Sequence, residues 1–129
     1  MPRPVSKYPT DLELQILKLL WQQSPLLARD VQAALGEGGR ELAKTSVITT
    51  LNTMVGKKYL KRKKQGNMYL FTPRISEDQV SNRVLVDVVD RVFDGSASAV
   101  LMKLFDVSDL DTGELRELRT LINRKLNES

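Results

Sequence analysis

Apolar residues recur along this chain at helical spacing in six stretches, interrupted once by a stretch that alternates instead. The first stripe, Leu12, Ile16, Leu17 and Leu20 with Trp21 close behind, predicts a helix over 10–23. Thr10-Asp11-Leu12-Glu13 marks its start, since a hydroxyl at the cap and a carboxylate three residues on can satisfy exposed backbone N–H groups reciprocally. Ser24-Pro25 breaks it. Ala28, Val31, Ala34 and Leu35 predict a short second helix over 27–35, closed by Gly36, Gly38 and Gly39. Val47, Leu51, Met54 and Val55 then form the buried stripe of a third, over 44–58.

The alternating stretch follows at once. Residues 59–64 (YLKRKK) and 68–72 (MYLFT) flank Gln65-Gly66-Asn67, a turn signal between two strand-like runs, and Pro73 closes the hairpin. Ser76-x-x-Gln79 opens a long helix to about 93, in which Val80, Val84, Val88 and Val92 repeat every fourth residue and Leu85 and Val89 widen the stripe. Asp94-Gly95-Ser96 stops it. A very apolar segment, 98–105, precedes a last helix that starts at Asp111-x-x-Glu114 and carries Leu115, Leu118, Ile122 and Leu126. Three helices and a two-stranded hairpin followed by three more helices make a mainly α chain. The predicted fold is a winged helix-turn-helix over 1–74 and a helical dimerisation domain over 75–129.

Composition removes several functions. With 41% hydrophobic and 28% charged residues the chain is expected to be globular rather than disordered. Zero cysteines remove disulfides and thiolate metal sites, and zero histidines remove the imidazole base and the commonest zinc ligand. No phosphate-cradling glycine loop stands in their place. No enzyme activity, cofactor or metal is therefore expected. The segment 1–13 has no secretory apolar core, and no run reaches the ~20 apolar residues that span a bilayer, so a cytoplasmic protein without membrane insertion is expected.

Charge points to an anionic partner. The net +4 is uneven: residues 1–80 carry 13 Lys/Arg against 7 Asp/Glu, whereas 81–129 carry 7 against 9. The third helix opposes its apolar stripe with Thr45, Ser46, Thr49, Asn52 and Thr53, side chains short enough to approach base edges in a major groove. Asparagine can pair bidentately with adenine, and threonine can meet the thymine methyl. Lys61, Arg62, Lys63 and Lys64 on the first hairpin strand, with Lys44, Lys57 and Lys58 at the helix ends, offer phosphate contacts that supply affinity without sequence choice. Each feature has a plainer reading. Threonines can simply be an exposed face, and lysines also protect edge strands from pairing. Succession favours duplex DNA: a reading helix followed immediately by a basic arm.

The last three helices hold fewer than fifty residues, too few to bury a stable core alone. Val80, Val84, Leu85, Val88, Val89, Val92, Leu101, Leu104, Phe105, Leu118 and Ile122 are the expected contacts with a second copy, and a symmetric protein would suit a palindromic operator. The alternative is that these helices fold back on the first half.

TDLELQILKLLW at 10–21, LAKTSVITTLNTM at 42–54, the wing at 66–73 and FDGS at 93–96 together resemble the penicillinase repressor family over about 9–122. The resemblance implies an N-terminal winged helix and a C-terminal helical dimerisation domain. It also implies repression released by proteolysis, initiated by a membrane sensor protease. Members commonly carry arginine where Thr53 stands and glycine where Lys58 stands. Counting from FDGS places the family's cleavage bond at Lys103-Leu104. The copper-responsive branch uses a cysteine-rich motif, which zero Cys excludes. The competing class is a winged helix that docks on other proteins; it would expose an apolar patch on the third helix.

Overall fold

A computed structural model describes residues 8–129. Residues 1–7, part of the segment read as lacking a secretory core, lie outside the described residues. Element order is α1 (Asp11–Gln22), β1 (Leu26–Leu27), α2 (Ala28–Glu37), α3 (Lys44–Gly56), β2 (Leu60–Gln65), β3 (Met68–Pro73), α4 (Glu77–Val92), α5 (Ala97–Val107) and α6 (Thr112–Glu128). The six helices and the hairpin fall where periodicity predicts them. β1 does not: its two residues are too short for alternation to register, and they form a third strand only because β3 lies beside them.

The predicted starts have the expected hydrogen bonds. Glu13 N–H donates to Thr10 Oγ1 at 3.2 Å while Thr10 N–H donates to Glu13 Oε1 at 2.9 Å. Ser76 and Gln79 repeat the exchange at α4, and Asp111 and Glu114 at α6. α3 ends in a Schellman motif: Tyr59 N–H donates to Met54 O and Lys58 N–H to Val55 O, with Met54 and Tyr59 both buried. That motif requires a left-handed residue after the helix, and here it is Lys58, at φ 67°. A lysine Cβ is strained there, whereas glycine is not. Lys58→Gly is expected to raise stability by up to ~1 kcal/mol, less the extra chain entropy glycine brings to the unfolded state. A urea midpoint at or below that of the parent protein would refute it.

The sheet order is β1-β3-β2, antiparallel throughout, with Leu26 opposite Phe71 and Gln65 opposite Met68. Gly66, at φ 63°, takes the first position of the two-residue loop between β2 and β3. The core gathers Ile16, Leu17 and Leu20 from α1, Val31 and Leu35 from α2, Val47, Leu51 and Met54 from α3, and Leu60 and Phe71 from the hairpin. The Trp21 indole N–H donates to Ile75 O at 2.9 Å, tying α1 to the segment ahead of α4.

The chain divides into two compact units, 1–85 and 86–129. The boundary falls within α4 rather than at 74, because Val80 is 4% exposed within the first unit's core and Val84 packs against that core. Both were expected to face a second copy. Val80 has no surface to offer one, and for the first turns of α4 the fold-back alternative describes the packing. The second unit differs sharply: α5 and α6 bury no residue at all. No helix among the described residues is long and apolar enough to cross a membrane.

Candidate nucleic-acid interface

α3 presents Lys44, Thr45, Ser46, Thr49, Asn52 and Thr53 to solvent, while Val47, Leu51 and Met54 anchor its other side. The fully exposed positions of this face carry no large apolar residue, Ile48 between Lys44 and Asn52 being half-buried, which disfavours its use as a protein-docking surface. Thr53 Oγ1 donates back to Thr49 O at 2.9 Å, and Thr50 Oγ1 to Ser46 O at 2.8 Å. Those bonds occupy the Thr53 and Thr50 hydroxyl protons and leave the oxygen lone pairs free to accept. The first turn of α3 has no acidic residue and opens on Lys44, the reverse of what the helix dipole favours locally. Both the exposed N–H groups and the lysine suit an approaching phosphate.

Alternation divides the basic run of the wing. Register pairs Lys61 with Thr72, Arg62 with Phe71, Lys63 with Leu70 and Lys64 with Tyr69. Successive side chains leave a strand on opposite faces, so Arg62 and Lys64 share the face of buried Phe71 while Lys61 and Lys63 share the other. On the first face the Arg62 guanidinium lies over the Tyr69 ring at 4.6 Å, and its Nη1 donates to Asn52 Oδ1 at 2.7 Å. The wing is thus joined to α3. The carbonyl that bidentate pairing with adenine would use already accepts one hydrogen bond.

Lys57 does not belong to the charged rim. Its Nζ donates to both carboxylate oxygens of Glu13, at 2.9 and 3.1 Å, and lies 5.8 Å from the Tyr59 ring. Glu13 is 3% exposed, and the lysine supplies its counter-charge. The Lys57 charge is committed to Glu13, which competes with the phosphate contact expected of it. Burial raises the Tyr59 phenol above its ordinary pKa of 10.0, against the opposing pull of Lys57; Glu13 raises it further and Arg83 lowers it.

A cleft of about 330 Å³ separates the wing from α3 and the start of α2, lined by Lys44, Ile48, Asn52, Arg62 and Tyr69. Arg29 lines it too, and sequence reasoning missed it. The signal available was a cation in the first turn of α2, where the helix dipole disfavours one.

In the second unit a groove of about 690 Å³ runs between α5 and α6, walled by Leu101, Leu104, Phe105, Leu118 and Ile122. Leu126, on the predicted stripe of the last helix, lines it as well, and so does Leu121, which was not anticipated. Leu85 and Val92 are exposed, and Val88 and Val89 half-buried. Lys103 and Leu104 are both exposed within α5. Among the described residues no group of His, Cys, Asp or Glu could hold a metal ion.

A three-helix core, a short sheet, a third helix with a polar exposed face and a basic hairpin define a winged helix-turn-helix DNA-binding protein. The sequence pattern of the penicillinase repressor family matches residues 9–124, and the chain belongs to that family. It is similar to the penicillinase repressor of Bacillus licheniformis, 23% identical over 118 residues that cover 92% of this chain and 91% of that one. The penicillinase repressor of Staphylococcus aureus is 19% identical over 111 residues, 86% of this chain and 87% of that one. The solved PcaV transcriptional regulator of Streptomyces coelicolor has the same fold, with a TM-score of 0.51 at 17% identity over 95% of this chain and 78% of that one.

Proposed function

We propose that this DNA-binding transcriptional repressor acts as a homodimer on a palindromic operator. In this reading α3 reads bases and the 60–72 hairpin grips phosphates. The observation that carries the DNA-reading half is the pairing of a wholly polar exposed α3 face with a wing whose first strand holds four consecutive cations. The dimer is supported by the apolar α5–α6 groove, since exposed apolar walls of this extent are costly in water and a second copy offers the same walls in return. Two identical units place two reading helices on two half-sites. Release by a membrane sensor protease system, which the family implies, fits the same surface: cleavage at Lys103-Leu104 would cut through a wall of the groove.

The test is to titrate the protein against its own upstream DNA and against random DNA at several salt concentrations. Preference for the upstream sequence is expected, together with an affinity that falls steeply with salt. Equal binding to both DNAs at every salt concentration would refute the operator reading. Lys61→Ala with Lys63→Ala should weaken both DNAs alike and reduce the log–log salt slope by about 0.9 for each phosphate the two lysines neutralise. An unchanged slope would show that these two lysines touch no phosphate.

A further inference from the structure

Arg62 is placed unlike its three lysine neighbours. Its guanidinium is held from two sides, by the Tyr69 ring 4.6 Å away and by Asn52 Oδ1 at 2.7 Å. Tyr69 stands opposite Lys64, one diagonal step along the same face of the hairpin, so the register itself brings ring and guanidinium together. A guanidinium has donors and no acceptor, so the Asn52 amide must turn its oxygen toward Arg62 and keep its NH₂ group for another partner. Without that bond an exposed asparagine could present either end of its amide to a base edge. With it, one orientation is selected before DNA arrives.

We propose that Arg62 is a specificity-determining residue that acts through Asn52, a positioning residue on the wing that sets how α3 reads one base. The inference rests on α3 being the base-reading helix. It assigns Arg62 a task distinct from that of Lys61 and Lys63, whose strand face lacks this contact. It also makes wing and helix a single reading unit: displacement of the hairpin would release the asparagine.

A double-mutant cycle tests it. Arg62→Ala, Asn52→Ala and the double variant are each titrated at one salt concentration against the upstream DNA and a random duplex of equal length. Each single substitution is expected to lower the upstream-to-random preference about tenfold, the size of one base contact. The double variant should lose no more than the larger single loss, because the amide reads its base only when held. Arg62→Lys keeps the charge and should keep the affinity for random DNA, yet lose the preference as the alanine variant does. Both residues are exposed, so thermal midpoints should stay close to the parent value, whereas a merely structural role would shift them and spare the preference.

Equal weakening of both DNAs by Arg62→Ala would make the arginine a phosphate contact and overturn the proposal. So would losses that multiply in the double variant. Either result leaves the base-reading role of α3 intact if the parent protein still prefers its upstream DNA. A parent protein with no preference overturns both.

Discussion

Leu104→Glu is expected to convert the protein from dimer to monomer and to weaken operator binding by ~10²–10⁴-fold. That is the advantage forfeited when the second half-site is no longer bound intramolecularly. Leu104 is 47% exposed on α5 and lines the groove between α5 and α6. Burying a leucine of this kind against a partner contributes about 1.5–3 kcal/mol, and a carboxylate in its place would be desolvated without a counter-charge. The winged-helix unit is untouched, so binding to a single half-site should persist. Sedimentation at micromolar concentration separates the outcomes. A Leu104→Glu protein that sediments like the parent would remove the groove from the interface, and a monomeric parent would remove the dimer altogether.

The second large effect concerns stability. Lys57→Met should destabilise the winged helix by ~3 kcal/mol, a melting drop on the order of 10–20 °C for a unit of this size. Glu13 lies under the helices with 4% of its side chain exposed, and in the parent protein it accepts two hydrogen bonds from Lys57 and one from the Thr10 N–H. Removing the lysine leaves a buried carboxylate with the backbone bond alone, and desolvation then opposes folding. Adding Glu13→Gln should restore much of the loss, because a neutral amide needs no counter-charge. Calorimetry on the three proteins decides it. Unchanged melting with a salt slope reduced by about one would instead return Lys57 to the phosphate contacts.

Lys57 shows why part of the interface was illegible in the sequence. A lysine just past the end of a polar helix has the same local signature whether it meets a phosphate or a carboxylate. Glu13, which decides the matter, lies 44 residues earlier and reads there only as half of a capping box. Arg62 is a similar case: within KRKK nothing separates it from its neighbours until strand register and the approach of α3 place Asn52 and Tyr69 beside it. Val80 and Val84 continue the periodicity of Val88 and Val92 without a break. A helical stripe records only that one face is apolar, and the partner changes along α4. Lys58 was legible in another way, as a departure from a family glycine, and its left-handed φ supplies the reason for that glycine.

Residue order alone thus dictates the six helices, the capped starts of α1, α4 and α6, the hairpin and its turn, and the polar face of α3. All of these follow from contacts among near neighbours, whose periodicities of 3.6 and 2 are written directly along the chain. Tertiary packing decided β1, the Lys57–Glu13 pair, the Arg62–Asn52 contact and the division of the α4 stripe. Each depends on residues distant in the chain arriving at one place, and only the packed core brings them there.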